Sequence, residues 1–232
     1  MPLQKVFMLY LAYSMNIVSD IVASKVFVWH PKNQSNPKTR DARQGVYNGM
    51  VVFDPTILSE QLEKAKAIFQ EAKKHNKEIL VICEKELYKE EIEALANKVG
   101  FFYMNHKIPA GVLTNFDTLL TRIRSLQEMR TYIASESFGT LTKKEQSMKK
   151  RILTKIEKVY KGVVGMKKKP DLIMIVDGQM MHKFVDEVEK ESIKGIILAS
   201  SNFDMRAKSH VVMCNVNSRQ SIDFIMNYLC NK

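Results

Sequence analysis

Little in this chain supports metal, redox or nucleotide chemistry. It has three cysteines in 232 residues, with no CxxC pair and no Cys/His spacing that could hold a metal. Cys83, Cys214 and Cys230 are odd in number, far apart and set among apolar neighbours, so they read as reduced core residues. The histidines (30, 75, 106, 182, 210) show no ligand spacing, and His182 has no partner one helical turn on. Neither GxGxxG nor GxxxxGK[ST] occurs, so no backbone cradle for a pyrophosphate is encoded. GxSxG and a Cys/His dyad are also missing, and no cofactor is expected. No apolar run reaches the length of a bilayer span. Residues 6–18 are apolar, but Tyr10, Tyr13, Ser14 and Asn16 dilute them and no clear small-residue cleavage site follows. With Val6, Leu9, Tyr10, Tyr13, Ile17 and Ile21 at helical spacing, residues 1–24 read as a packing helix.

Positive charge is abundant. The formal net charge is +11, which points to a polyanionic partner, a nucleic acid or an acidic membrane surface. Its distribution is uneven. Between Asp117 and Lys169 there are 14 Lys and Arg against 5 Asp and Glu, a net of +9, which leaves +2 for all the rest. A smaller concentration, Lys32, Lys38, Arg40 and Arg43 against Asp41, lies in the Pro-broken stretch 29–45, which reads as an extended loop suited to phosphate contacts. A near-neutral body with one strongly basic protrusion favours nucleic acid over a merely solvated helix face.

The body alternates strand and helix. Met50–Phe53 reads as a buried strand, and Asp54-Pro55-Thr56 then starts a helix with Leu58, Leu62, Ala65 and Phe69 on one face. Ile79–Cys83 is a fully apolar strand, Leu87–Val99 a helix stopped by Gly100, and Phe101–Met104 a third strand. After an interruption, strands recur at Leu172–Val176, Ile196–Ala199 and His210–Cys214, with helices at 180–191 and 218–229. This is the pattern of an α/β fold, a parallel-stranded three-layer sheet of flavodoxin-like or Rossmann-like type. The interruption holds two helical stretches joined by a polar turn at 135–142. Leu119, Leu120, Ile123, Leu126, Arg130 and Ile133 follow one stripe, and Met148, Ile152, Leu153, Ile156, Val159 and Tyr160 the other. They predict an inserted antiparallel helical (coiled-coil) hairpin over 117–165, dividing an α/β body of residues 1–116 and 166–232.

Asp54 and Asp177 stand at strand C-termini, where such sheets place ligands, and read first as helix caps or turn acceptors. Residues 105–116, NHKIPAGVLTNF, join the third strand to the basic hairpin. Pro109, Gly111 and the Thr114-Asn115 pair are turn and cap chemistry, and Thr114 or Asn115 is expected to cap the following helix.

Several blocks together resemble the bacterial-type small-subunit ribosomal protein S-two family. Asn105–Phe116 matches, without a gap, a family loop of the form NQRWLGGTLTNF. His30, Asn36-Pro37-Lys38 and Asn48–Asp54 fall on the family's histidine, NPK and NGIxIID; Pro170–Asp177 resembles PDxxxVxD. Ser201–Asp204 resembles TNCDP, and Asn217 falls near NDD. Departures occur at Ser35 and Ile108 (tryptophan in the family), Ala110 (glycine), Ser200 (aspartate), Met205 (proline) and Ser218-Arg219 (aspartates), so this is a divergent member.

The resemblance implies a non-catalytic constituent of the small ribosomal subunit, in a bacterial cytoplasm or alternatively an organelle. Its partners would be small-subunit ribosomal RNA and neighbouring ribosomal proteins, with no membrane and no small-molecule substrate. RNA contacts are expected from His30, Lys32, Asn36, Lys38, Arg40 and Arg43, and from His106, Lys107, Thr114 and Asn115 where sheet meets hairpin. On the hairpin they are expected from Arg122, Arg124, Lys143, Lys144, Lys149, Lys150, Arg151 and Lys155. Two rivals stay open on the residues alone: a nucleotide or sugar-phosphate enzyme using Asp54 and Asp177, and a membrane-peripheral adaptor using the N-terminal helix and the basic hairpin.

Overall fold

The computed structural model describes residues 17–21 and 23–230. Residues 17–21 are helical, with Ile17 and Ile21 buried; of the rest of the helix expected over 1–24, only residue 23, helical, and Ser24, in a turn, are among the described residues.

The first strands form a sheet of their own. β1 (Val28–Pro31), β2 (Arg43–Tyr47) and β3 (Met50–Phe53) pair antiparallel in the order β1-β3-β2. Two expectations are corrected here. Met50–Phe53 is the centre of this small sheet and not a strand of the parallel one, and 29–45 is not one loop but strand, two 3-10 turns and strand. The cause is Asn48-Gly49, both at positive φ (50° and 77°), which makes the tight two-residue turn that matches the twist of an antiparallel hairpin.

Beyond it the α/β rhythm holds. Asp54 caps α1 (Pro55–Lys74), its carboxylate accepting the Thr56 N–H at 2.8 Å. β4 (Ile79–Ile82), α2 (Lys89–Val99) and β5 (Phe102–Met104) follow, and Gly100 ends α2 in the left-handed conformation. The hairpin helices are α3 (Phe116–Ala134) and α4 (Lys143–Tyr160). Then come β6 (Leu172–Val176), α5 (His182–Lys190), β7 (Lys194–Ala199), β8 (His210–Met213) and α6 (Arg219–Cys230). The five strands β5-β4-β6-β7-β8 are all parallel, in that order. Every residue of β4 and β6 is buried, as uninterrupted Ile, Leu and Val runs require when helices cover both faces. This is the α/β three-layer fold read from the sequence. Cys83 and Cys214 are buried in its core as free thiols, and burial pushes Cys83 up to about 11.

Strand order reverses between β4 and β6, the place where such sheets usually open a ligand crevice. Here an ion pair ties the ends of the two strands together. Lys85 Nζ lies 2.7 Å from Asp177 Oδ2 and donates to the Val216 carbonyl (2.8 Å) and Asn217 Oδ1 (2.6 Å). Asp177 also accepts the Met180 N–H at 3.1 Å. Both aspartates singled out in the sequence therefore serve as caps and turn acceptors.

α3 and α4 pack against each other as a hairpin. Leu119 and Arg122 lie beside Tyr160 at its base, while Lys149 stands over the Tyr132 ring (4.6 Å) nearer the tip. The turn holds a short helical segment, Glu136–Gly139, that buries Phe138, and Thr142 with Glu145 forms a capping box for α4. The two apolar stripes are unequal. α3 buries Phe116, Leu119, Ile123 and Leu126, whereas α4 buries none fully and leaves Met148 and Ile152 exposed. Arg130, read as part of the α3 stripe, is exposed and pairs with Glu157 at 2.7 Å.

The return from the hairpin crosses β5 at very short range. A Cβ on Gly162 would sit 2.2 Å from the Tyr103 carbonyl oxygen, and Lys161 beside it pairs with Glu93 at 2.6 Å. Gly162→Ala must therefore push the hairpin base off the sheet edge. Urea denaturation should show a loss of about 1–3 kcal/mol; wild-type stability in the variant would contradict this packing.

Candidate nucleic-acid interface

The loop 105–116 is held by carboxylates and apolar plugs. Glu84, just past β4, accepts the Ile108 N–H (2.7 Å), and Glu187 on α5 accepts those of Gly111 (2.7 Å) and Leu113 (3.2 Å). Asn105 is buried and donates to the Lys89 carbonyl at 2.9 Å. Val112, Leu113 and Phe116 enter the core. Gly111 has φ +82°, which admits the turn that brings the Asn115 N–H onto its carbonyl at 2.8 Å. Asn115 occupies the N-cap position of α3, but its side chain caps no backbone N–H; its Oδ1 instead accepts the Thr118 hydroxyl at 2.8 Å. That corrects the expectation that the Asn115 side chain caps α3. Lys107, Thr114 and Asn115 face solvent. His106 is half-buried, and burial first, then Lys89, Lys158 and Lys161, hold its pKa below the usual value. That shift favours the uncharged imidazole.

The stretch 32–43 proves to be braced rather than extended. Its Asn36 N–H donates to the Ser201 carbonyl at 2.7 Å, and Lys38 pairs with Asp204. Two of the sequence blocks, Asn36–Lys38 and Ser201–Asp204, are thus one contact in space. Arg43 turns inward, donating to the Asn36 carbonyl and to Thr39 Oγ1 (2.7 Å), and burial, then Arg40, lowers its pKa. Lys38 and Arg43, expected to bind phosphate, have these internal partners because they close the segment onto itself. Lys32 and Arg40 remain exposed; Asn36 is half-buried and its Oδ1 accepts the Lys38 N–H. His30 lies in β1.

On the hairpin, Arg122, Arg124, Lys143, Lys144, Lys150, Arg151 and Lys155 are exposed, and among the described residues none of these makes an ion pair. Lys150 lies over the Phe138 ring at 5.7 Å, and Lys149 is half-buried over Tyr132. A shallow groove of approximately 570 Å³ runs along α4 between Lys143, Gln146, Ser147, Lys150, Arg151 and Lys155. Four cations beside an amide and hydroxyls suit a row of phosphate oxygens. No group of three or more His, Cys, Asp or Glu that could hold a metal occurs among the described residues.

A family model described as "Ribosomal protein S2" matches residues 21–232. The chain belongs to the ribosomal protein S2 family. It is 28% identical over 214 residues to "Small ribosomal subunit protein uS2" of Picosynechococcus sp., covering 92% of this chain and 84% of that protein. Similar matches are the uS2 of Protochlamydia amoebophila (29% identical; 91% of this chain, 78% of that one) and "Small ribosomal subunit protein uS2c" of Cyanidium caldarium (26%; 91% and 87%). The S2 family is structural, which removes the enzyme reading.

Within the S2 frame, the residues that sequence reasoning missed are those that hold the loop and the sheet ends: Glu84, Lys85 and Glu187. Their partners lie far off in sequence, and no spacing announces them. Replacing Glu187 by Ala leaves the Gly111 and Leu113 amides without their acceptor. Stability should fall by about 1–3 kcal/mol, and exchange of those two amides should quicken selectively. Unchanged exchange at both would show that the carboxylate does not hold the loop.

Proposed function

We propose that the chain is a structural constituent of the small ribosomal subunit that docks on small-subunit ribosomal RNA mainly through the 117–165 hairpin, with the α/β body (1–116 and 166–232) as its platform. The observation that carries this reading is the row of unpaired cations along α4, on a hairpin fixed at its base. Bases in such a row neutralise phosphates and set orientation, while sequence discrimination is left to other contacts. Arg122 and Arg124 on α3 extend the row, and Lys107, Thr114 and Asn115 mark its base, with His106 as a neutral hydrogen-bonding group. Lys32 and Arg40 supply a second, smaller contact from the body. The exposed Met148 and Ile152 on α4 suit a neighbouring ribosomal protein better than phosphate. The relatives come from bacteria and from Cyanidium caldarium, and the small ribosomal subunit is this chain's place.

No helix among the described residues is long and apolar enough to cross a membrane. Nucleic acid also explains the groove better than a lipid surface does, because its cations run along one edge and are not flanked by a broad apolar face.

Changing Lys143, Lys150, Arg151 and Lys155 together to Gln removes up to four phosphate contacts. In filter binding to small-subunit ribosomal RNA, the slope of log K against log salt should shrink by about 3, with affinity falling most at low salt. An unchanged slope would remove the hairpin from the interface.

A further inference from the structure

The tip of the β2–β3 hairpin carries an aromatic side chain outside the core. Tyr47 is 61% exposed and is the one Phe or Tyr that faces solvent among the described residues. It precedes the Asn48-Gly49 turn, so its backbone is fixed by a tight hairpin and by pairing with Met50. A Cβ on Gly45 would lie 3.3 Å from the Tyr47 ring, so the ring rests over a position where only glycine leaves it unobstructed. Val46 beside it is 42% exposed. Met50 also pairs with Pro31 on the other side of β3, which places Pro31 about two strand spacings from Tyr47, roughly 10 Å, and Lys32 is the next residue along the chain. Lys32 is tied to the same turn, its N–H donating to the Gly49 carbonyl at 2.9 Å.

We propose that Tyr47 is a stacking platform for an unpaired nucleobase of the small-subunit RNA, with Lys32 taking a phosphate of the same strand. This rests on the RNA-docking reading above and adds to it a second, chemically different contact. An aromatic ring displayed on a rigid turn pays little ordering entropy, and every base offers it a π-face. Local charge favours RNA over a neighbouring protein: Lys32 and Arg40 are exposed without ion pairs among the described residues. Because Tyr47 is outside the core, its replacement leaves the fold intact.

The test is binding of the full-length protein to protein-free small-subunit ribosomal RNA, comparing wild type, Tyr47→Phe, Tyr47→Ala and the hairpin quadruple variant. Thermal melting of each checks that folding is unchanged. Stacking predicts that Tyr47→Phe binds within about twofold of wild type, whereas Tyr47→Ala loses about 5- to 100-fold. It also predicts that the salt slope of Tyr47→Ala stays at the wild-type value, because no phosphate contact is removed. Ultraviolet irradiation should cross-link wild type through the peptide that contains Tyr47. If Tyr47→Ala binds as wild type does while the quadruple variant is weakened, the platform is refuted and the hairpin reading stands. Normal RNA binding by Tyr47→Ala with poor retention in assembled subunits would assign the tip to a protein neighbour, again refuting the platform. Failure of wild type to bind would refute the docking reading itself.

Discussion

Glu187 sits on α5 and reaches across to a loop 74 residues or more away in sequence, where it takes two backbone N–H groups on its two oxygens. Glu84 takes a third, that of Ile108. Hydrogen bonds to a charged acceptor are worth about 1.5–3 kcal/mol each, and these three fix a segment with no helix or strand of its own. α3 starts directly from that segment, so the carboxylates set the direction in which the hairpin leaves the sheet. At the other end, Gly162 against Tyr103 and Lys161 against Glu93 fix the return. With both ends held, the hairpin's cations have a defined position relative to the body.

That arrangement carries a tension. The hairpin gathers cations that repel one another, and few local acids relieve it: Glu157 answers Arg130, and Glu145 is used in the capping box. Salt screens such repulsion over about 8–10 Å, and a polyanion relieves it more fully. The aromatic rings of Tyr132 and Phe138 under Lys149 and Lys150 soften the same problem locally. In the body, cations at the strand ends and loops have partners: Lys85 with Asp177, Lys38 with Asp204, Lys169 with Glu191.

Much of this was legible in the sequence. Uninterrupted runs such as Ile79–Ile82 and Leu172–Val176 announce buried parallel strands, because nothing polar can face a helix layer on either side. The two helices and the polar turn between them were legible, but their stripes only in part: Arg130 faces solvent and α4 buries no residue fully. Asn48-Gly49 also signalled an antiparallel turn. Reading Met50–Phe53 as a parallel strand overlooked it, because a four-residue apolar run carries no directional information of its own. The internal use of Lys38 and Arg43 was not legible, since exposure of a base depends on what packs over it, here Ser201–Asp204. The same holds for Glu84 and Glu187, whose role exists only once distant backbone N–H groups are brought beside them.

On the reading proposed above, this chain is held in the small ribosomal subunit largely by charge. Sedimentation of the native protein from a gently prepared lysate tests it most directly. The protein should travel with the small-subunit peak in low salt and move to the top of the gradient as salt is raised. A protein that stays at the top in low salt, with the small subunit intact beside it, would show that the chain is no part of that subunit.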